Sequence, residues 1–302
     1  MNPLENKWLN NKYITDDAIN KYRSALKLQH PNYIVIDGLF NDTMLNAVTD
    51  ALSQSEHWQT QRHTYSELYV DNFKWQQADD EERFVQRDVW KPTKSTHTTA
   101  NEFLTYLRSD EFMAVLSRIF NVHLTDIHVG DPDINTNYFR LNANDQVEQH
   151  ADDSPGREVC MLLYLNKDWA EDTGGELVFK GEGGNPIHIA PLYNRCVLFN
   201  PASKGSEHWV ERVKAQSESV YRYNVTSWYW GEWGEIESEV ESESPALLLE
   251  YRLLITSISL EWMIRVKGFK CKEVLINKQH IFIKAENLAH FTNRVARFGH
   301  EC

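Results

Sequence analysis

Cysteine is scarce in this 302-residue chain: Cys160, Cys196, Cys271 and Cys302 are all there are, and no two form a CxxC pair. That excludes a disulfide framework or a cysteine-held zinc site, and it favours a reduced compartment. Positive charge is lacking too. Thirty-one Lys and Arg stand against 44 Asp and Glu, a net charge of −13, so there is no cationic footprint for nonspecific nucleic-acid binding. Long uncharged apolar runs are also missing. The most apolar stretch, "LLLEYRLLITSISLEWMIRV", carries Glu250, Arg252, Glu261 and Arg265, which argues against a membrane-spanning helix. The opening "MNPLENKWLNNKY" lacks the basic start and apolar stretch of a signal peptide. These absences lead to the expectation of a cytoplasmic protein with no nucleic-acid and no membrane partner.

What is present is aromatic and strand-forming. Ten tryptophans and an aromatic content of 12% suggest a core of strands with an aromatic lining. "ITDDAINKYRSALKLQ" (14–29) reads as a helix opened by Thr15 or Asp16, and "PNYIVIDGLF" as a strand. "NDTMLNAVTDALSQSE" reads as a second helix capped by Asn41. Residues 56–97 are polar, aromatic and irregular, the profile of a long loop serving as a lid or binding segment. One helix is predicted over about 98–120.

From about 123 to 230 short apolar runs alternate with turn residues: "VHLTDIHVG", "NTNYFRLN", "EVCMLLYLN", "GELVFK", "NPIHIAP", "RCVLFN", "EHWVERV" and "VYRYNVTSWYW". Many short strands without intervening helices predict a sandwich, barrel or jelly roll, with the preceding helices on one face. "GEWGEIESEVESESPA" then reads as an exposed acidic linker. The tail, 247–302, is basic, with nine Lys and Arg against five Glu. It reads as a packed helix or a homodimer contact of unassigned purpose.

The stretch "EQHADDSPGREVCMLLYLNKDW" (148–169) carries the chemistry. Twelve histidines yield a single HxD/E match, His150 to Asp152. On an extended strand, side chains two apart share a face, so these two would converge as metal ligands. His208, at the start of a later strand, is the natural third. Two His and one carboxylate on one face of an octahedron leave three positions open, the facial triad of non-haem Fe(II) oxygenases. The alternative is a surface turn with a hydrogen-bonded histidine. Arg222 lies on the following strand, and an even register would put Arg222, Thr226 and Trp228 on the face of His208. An arginine aimed into an aromatic barrel needs a buried anion, which a dicarboxylic co-substrate would supply in fork geometry. A surface ion pair is the plainer reading of Arg222 alone.

The stretch 138–230, through "HADD", "REVCMLLYLNKDW", "TGGELVF", "NRCVLFN", "EHWVERV" and "RYNVTSWYW", resembles the iron- and 2-oxoglutarate-dependent dioxygenases of the prolyl 4-hydroxylase type. It looks closest to the oxygen-sensing prolyl hydroxylases and their microbial relatives. The resemblance implies a mainly β double-stranded β-helix with flanking helices. The division it suggests is an N-terminal helical segment (1–30), an oxygenase domain (31–235), an acidic linker (236–246) and a C-terminal extension (247–302). It implies Fe(II) on His150, Asp152 and His208, 2-oxoglutarate and O2 as co-substrates, and Arg222 on the distal carboxylate of 2-oxoglutarate. Tyr164 would hydrogen-bond that same carboxylate, with Leu177 and Thr226 as walls and Trp228 behind. Arg157 would lie near the substrate mouth. Where the family often has an aromatic-Pro-Gly segment, this chain has "RLNAN", from Arg140, so Tyr138 is left as the substrate-side aromatic. Arg222 follows His208 by fourteen positions, more than in the closest relatives. The implied reaction hydroxylates a C–H bond and releases succinate and CO2. A prolyl residue in a protein or peptide is the expected substrate. A free amino acid or other small molecule is the alternative, and so is a non-catalytic iron- or partner-binding barrel.

Overall fold

Side-chain caps open the helices where the sequence puts them. Thr15 accepts from the Ala18 amide at the start of α1 (Asp16–Leu28), and Asn41 from the Thr43 and Met44 amides at the start of α2 (Asp42–Ser53). The computed structural model describes residues 6–92, 98–127, 129, 135–214, 219–231, 271–277 and 280–285. Contacts divide the chain into residues 1–235 and 236–302.

The single helix expected over 98–120 is two. Ser109 accepts from the Phe112 amide and so caps a new helix, which separates α4 (Thr99–Leu107) from α5 (Asp110–Phe120). The loop expected over 56–97 is corrected further. It folds as β2 (Trp58–Thr64), the short α3 (Asn72–Gln77) and β3 (Arg83–Trp90), with Trp58 paired to Trp90 and His63 to Val85. Residues 93–97 and 128 lie outside the described residues, as do the acidic linker and the apolar run of the tail. "VHLTDIHVG" forms no strand among the described residues, only an isolated bridge from Leu124 to Gly231.

The remaining strands of residues 1–235 are β1 (Tyr33–Asp37), β4 (Thr136–Leu141), β5 (Gln146–His150), β6 (Arg157–Tyr164), β7 (Leu177–Phe179), β8 (Ile187–Ile189), β9 (Arg195–Phe199), β10 (His208–Val210) and β11 (Arg222–Trp230). One antiparallel layer runs β1-β9-β6-β11-β4 and the other β5-β10-β7-β8. Successive strands from β4 onward thus distribute between two facing layers, the winding of a double-stranded β-helix. β3 joins the layers: Val85 and Gln86 pair with β5, while Asp88 and Val89 pair with β4.

Period-two alternation assigns each strand residue to a side. Val159, Met161, Leu163, Cys196, Leu198, Val225 and Tyr229 are buried against the helices, in one core with Leu45, Phe103, Phe112 and Leu116. Their neighbours Cys160, Leu162, Tyr164, Val197 and Phe199 point the other way and pack between the layers with Leu177, Phe179 and Ile189. In residues 236–302, β12 (Cys271–Asn277) and β13 (His280–Ala285) form an antiparallel hairpin.

The helix-side core depends on aromatic contacts. Phe112 is fully buried, with ring centroids 5.7 Å from Phe40, 5.6 Å from Tyr106 and 6.2 Å from Tyr229. Phe112→Ala is expected to cost about 3–5 kcal/mol in urea unfolding and to leave metal affinity of the folded protein unchanged, because the cavity opens on the side away from the barrel interior.

Candidate metal centre

β5 and β10 are antiparallel partners, and their register sets His150 directly opposite His208. The two imidazole centroids are 4.3 Å apart. Phe84 meets His150 edge-on, and Phe179 and Phe199 do the same to His208, so neither ring turns freely. Nδ1 of His150 lies 2.9 Å from the Glu148 carbonyl oxygen, and Nδ1 of His208 2.9 Å from that of Ser206. A carbonyl oxygen only accepts, so each Nδ1 carries the hydrogen and each Nε2 keeps its lone pair for a ligand.

Asp152 arrives by another route than the one expected. β5 ends at His150, so strand alternation does not aim this carboxylate. A turn does: the Ser154 amide donates to the Asp152 carbonyl, and Arg157 Nη1 donates to the same carbonyl at 2.8 Å. On the carboxylate, Trp228 Nε1 donates to Oδ2 at 2.8 Å, Arg157 Nη1 lies 3.3 Å from Oδ1, and Cys160 Sγ lies 3.7 Å from Oδ2. Asp153 is exposed. One ligand atom from each of His150, Asp152 and His208 falls within 4.8 Å of the other two, the only such cluster among the described residues.

The electrostatics prepare these groups for a cation. Burial raises the Asp152 carboxyl, but His150, His208, Arg157 and the Trp228 N–H outweigh it and hold it below the ordinary carboxylate range. Burial, with His150 alongside, pushes His208 down to about 4, so it is neutral at pH 7. Two imidazoles, each with a free Nε2, and one carboxylate suit a divalent first-row metal such as Fe(II).

Behind this cluster lies a second anomaly. Arg222 is only 1% exposed. Its Nε donates to the Gly175 carbonyl at 2.6 Å and its Nη1 to Asn224 Oδ1 at 2.7 Å, but Nη2 is buried with no partner. The Tyr164 hydroxyl is buried and unpartnered as well, and the Arg222 guanidinium carbon lies 4.9 Å from the Tyr164 ring. Gly175 permits the approach: at φ +72° it accepts a conformation unfavourable to other residues, and a Cβ there would meet Arg222 Cδ at 3.0 Å. Two buried, adjacent donors without partners fit a carboxylate.

Thr226 and Leu177 are buried in the same interior, and Thr226 Oγ1 accepts from Asn224 Nδ2 at 2.9 Å. Trp228 belongs to Asp152 rather than to the rear wall, and Arg157, stacked over Trp228 and Trp230, braces that same carboxylate. Two expectations are overturned. Tyr138 pairs with Val225, a helix-side residue, and its hydroxyl donates to the Ala100 carbonyl at 2.9 Å within the helix-side core. Arg140 has the same parity, and its guanidinium lies over Trp58 and Tyr221 and donates to Asp88 at 2.9 Å. Neither faces the barrel interior. Sequence reasoning missed Gly175 and Asn224, which hold Arg222; the alternation Arg222–Asn224–Thr226 was the available signal for the second.

Residues 136–230 match the model of the 2OG-Fe(II) oxygenase superfamily. Over 173 residues the chain is 30% identical to a mouse (Mus musculus) protein, prolyl 3-hydroxylase OGFOD1; the match covers 55% of this chain and 28% of that protein. The chain therefore spans under a third of that relative's length. Among solved structures, a prolyl hydroxylase from Trichoplax adhaerens, in complex with a hypoxia inducible factor peptide fragment, is 18% identical, with 72% of this chain and 94% of that one covered and a TM-score of 0.49. A Pseudomonas putida prolyl-4-hydroxylase is 14% identical, with 70% and 98% covered and a TM-score of 0.47.

Two buried histidines set the acid limit. His63, like His208, is held down to about 4, by burial and then by Arg87. Both stay neutral in the folded chain while their unfolded counterparts protonate below about 6.5, so unfolding takes up protons in that interval. The urea midpoint of the metal-free protein is expected to fall as pH drops from about 6.5 to about 4, and His63→Gln to make that fall shallower. Tyr138→Phe is expected to cost about 1 kcal/mol of stability and to leave dicarboxylate affinity unchanged by calorimetry.

Proposed function

We propose that this chain, whose residues 136–230 form a 2OG-Fe(II) oxygenase domain, is an Fe(II)- and 2-oxoglutarate-dependent dioxygenase that hydroxylates a prolyl residue in a protein or peptide. The observation that carries the reading is the pair of sealed, unpartnered donors, Arg222 Nη2 and Tyr164 Oη, set behind a cluster of two imidazoles and a carboxylate. His150, Asp152 and His208 would hold Fe(II), and Arg222 and Tyr164 would take the distal carboxylate of 2-oxoglutarate. Bound there, the iron and 2-oxoglutarate supply O2 activation and C–H hydroxylation, with release of succinate and CO2.

The chain's own residues do the orienting. The carbonyls of Glu148 and Ser206 fix both histidine tautomers. Trp228 and Arg157 fix the carboxylate and spread its charge, so the ligand set is arranged before a metal arrives. Gly175 and Asn224 hold the guanidinium in one plane, which limits the rotamer entropy lost when a dicarboxylate docks. Phe179, Phe199, Leu177 and Leu162 exclude water from the interior. The mouse prolyl 3-hydroxylase supports the prolyl part of the reading.

The test is succinate release by the full chain with Fe(II) and 2-oxoglutarate, offered proline-containing peptides, free L-proline and other free amino acids. Release that depends on a proline peptide is the expected result. Release with a free amino acid alone would move the substrate to the small-molecule class, and iron binding without release on any candidate would defeat the catalytic reading. Arg222→Ala is expected to weaken 2-oxoglutarate binding by about 10- to 100-fold, the range for loss of a charge-assisted pair, with Fe(II) affinity unchanged. Unaltered 2-oxoglutarate affinity would remove Arg222 from this role.

A further inference from the structure

A cavity of about 460 Å³ opens beside the metal centre, between the β2–β3 hairpin and β4. Trp228, the residue that donates to Asp152, forms part of its wall, so the cavity adjoins the ligand cluster. Its composition runs against that of the chain. In a protein of net charge −13, the described residues lining it include Arg62, Arg87 and Lys91, and none is acidic. None of these three cations forms an ion pair among the described residues.

Arg87 is the deepest of the three. It sits where β3 passes from one layer to the other, between Gln86, paired with β5, and Asp88, paired with β4. Its guanidinium carbon lies over the Phe139 ring, 3.5 Å from the centroid. Stacking occupies the face of the group and leaves its hydrogen-bonding edge free. Nε on that edge has no solvent access and no partner. The adjacent carboxylate cannot serve it, because Asp88 points to the other side of the strand, where it accepts from Thr60 and Arg140. Arg87 is near enough to Asp152 to feel its charge, but Asp152 is committed to the ligand cluster. Burial outweighs these contacts and draws the Arg87 guanidinium down to about 10. A half-buried guanidinium beside a cavity, with its Nε unpartnered, is matched by a carboxylate, which takes it in fork geometry.

We propose that Arg87 is a specificity-determining residue that binds a carboxylate of the primary substrate, supplied by an acidic side chain flanking the target proline. The inference rests on the oxygenase reading for what the substrate is, but the site itself stands on Arg87 and its cavity. Arg62 and Lys91 add a cationic surround that draws an acidic peptide towards the opening.

The probes are Ac-Ala-Glu-Pro-Glu-Ala-amide, its counterpart Ac-Ala-Gln-Pro-Gln-Ala-amide, and free L-proline, whose α-carboxylate is the other source of the same chemistry. Each is titrated calorimetrically into the full chain, with and without Mn(II) and 2-oxoglutarate. The expected result is that wild type binds the glutamate peptide at least about tenfold more tightly than the glutamine peptide. Arg87→Gln erases that preference while keeping wild-type melting and 2-oxoglutarate affinity, and Arg87→Lys restores part of it. The proposal is overturned if wild type shows no glutamate preference, absence of binding included. It is equally overturned if Arg87→Gln loses 2-oxoglutarate affinity instead, or if only L-proline binds in an Arg87-dependent manner. An Arg87-dependent glutamate preference in a chain that binds no Mn(II) would sustain this site and bring down the oxygenase reading.

Discussion

The pairing of His150 with His208 across β5 and β10 is the constraint on which the site depends. Cross-strand partners sit at the closest side-chain approach that a sheet offers, and here both partners are imidazoles with Nδ1 tied to a backbone carbonyl. Two basic nitrogens held this close gain nothing from one another, since a proton on either one penalises a proton on the other. The arrangement becomes favourable when a cation lies between them and the Asp152 carboxylate. The surrounding phenylalanines hold the rings in a geometry that is unrewarding without such an ion.

The two layers then separate stability from chemistry. Along β11, Val225 and Tyr229 face the helices and Arg222, Asn224, Thr226 and Trp228 face the interior. A single strand thus contributes to a dry aromatic core on one side and a polar row on the other. The helices cover the outer face of one layer, and the space between the layers remains for ligands. Period two places Arg222 and Trp228 on the same side, and that is how one can hold a dicarboxylate while the other holds a metal ligand.

Much of this was legible in the residues. Thr15 and Asn41 announce their helices because capping is a local interaction between neighbours in the chain. The shared face of Arg222, Thr226 and Trp228 follows from alternation within one strand. What could not be read is whatever depends on pairing between distant segments. Tyr138 and Arg140 lie on the helix side because Val225 opposes Tyr138, and nothing in "NTNYFRLN" fixes that register. The β2–β3 hairpin was hidden because "WQTQRHT" is polar on both faces, and its strand character comes from pairing with β3. Asp152 meets the histidines through a turn braced by Arg157 and Trp228, although strand alternation had suggested the same meeting for a different reason. The helix break before Asp110 was present in "LRSDEF", where Ser109 has the composition of an N-cap within an otherwise helical run.

The distribution of charge ties the parts together. Arg87, Arg157 and Arg222 are all drawn into or beside the barrel interior, and Asp152 is the carboxylate that Arg87 and Arg157 share. A divalent metal on the ligand cluster would add positive charge to a region already rich in it. An interior of this kind is stable only if anions accompany the metal, because unpaired guanidinium groups and a cation in a low-dielectric space repel one another. A dicarboxylate on Arg222 offsets part of that excess but leaves the far side, where Arg87 lies on Phe139, still uncompensated. The net negative charge of the whole chain does not reach this point, since surface carboxylates are screened by water over the intervening distance. The electrostatic demand of the interior is therefore local, and it asks for negative charge on both sides of the metal.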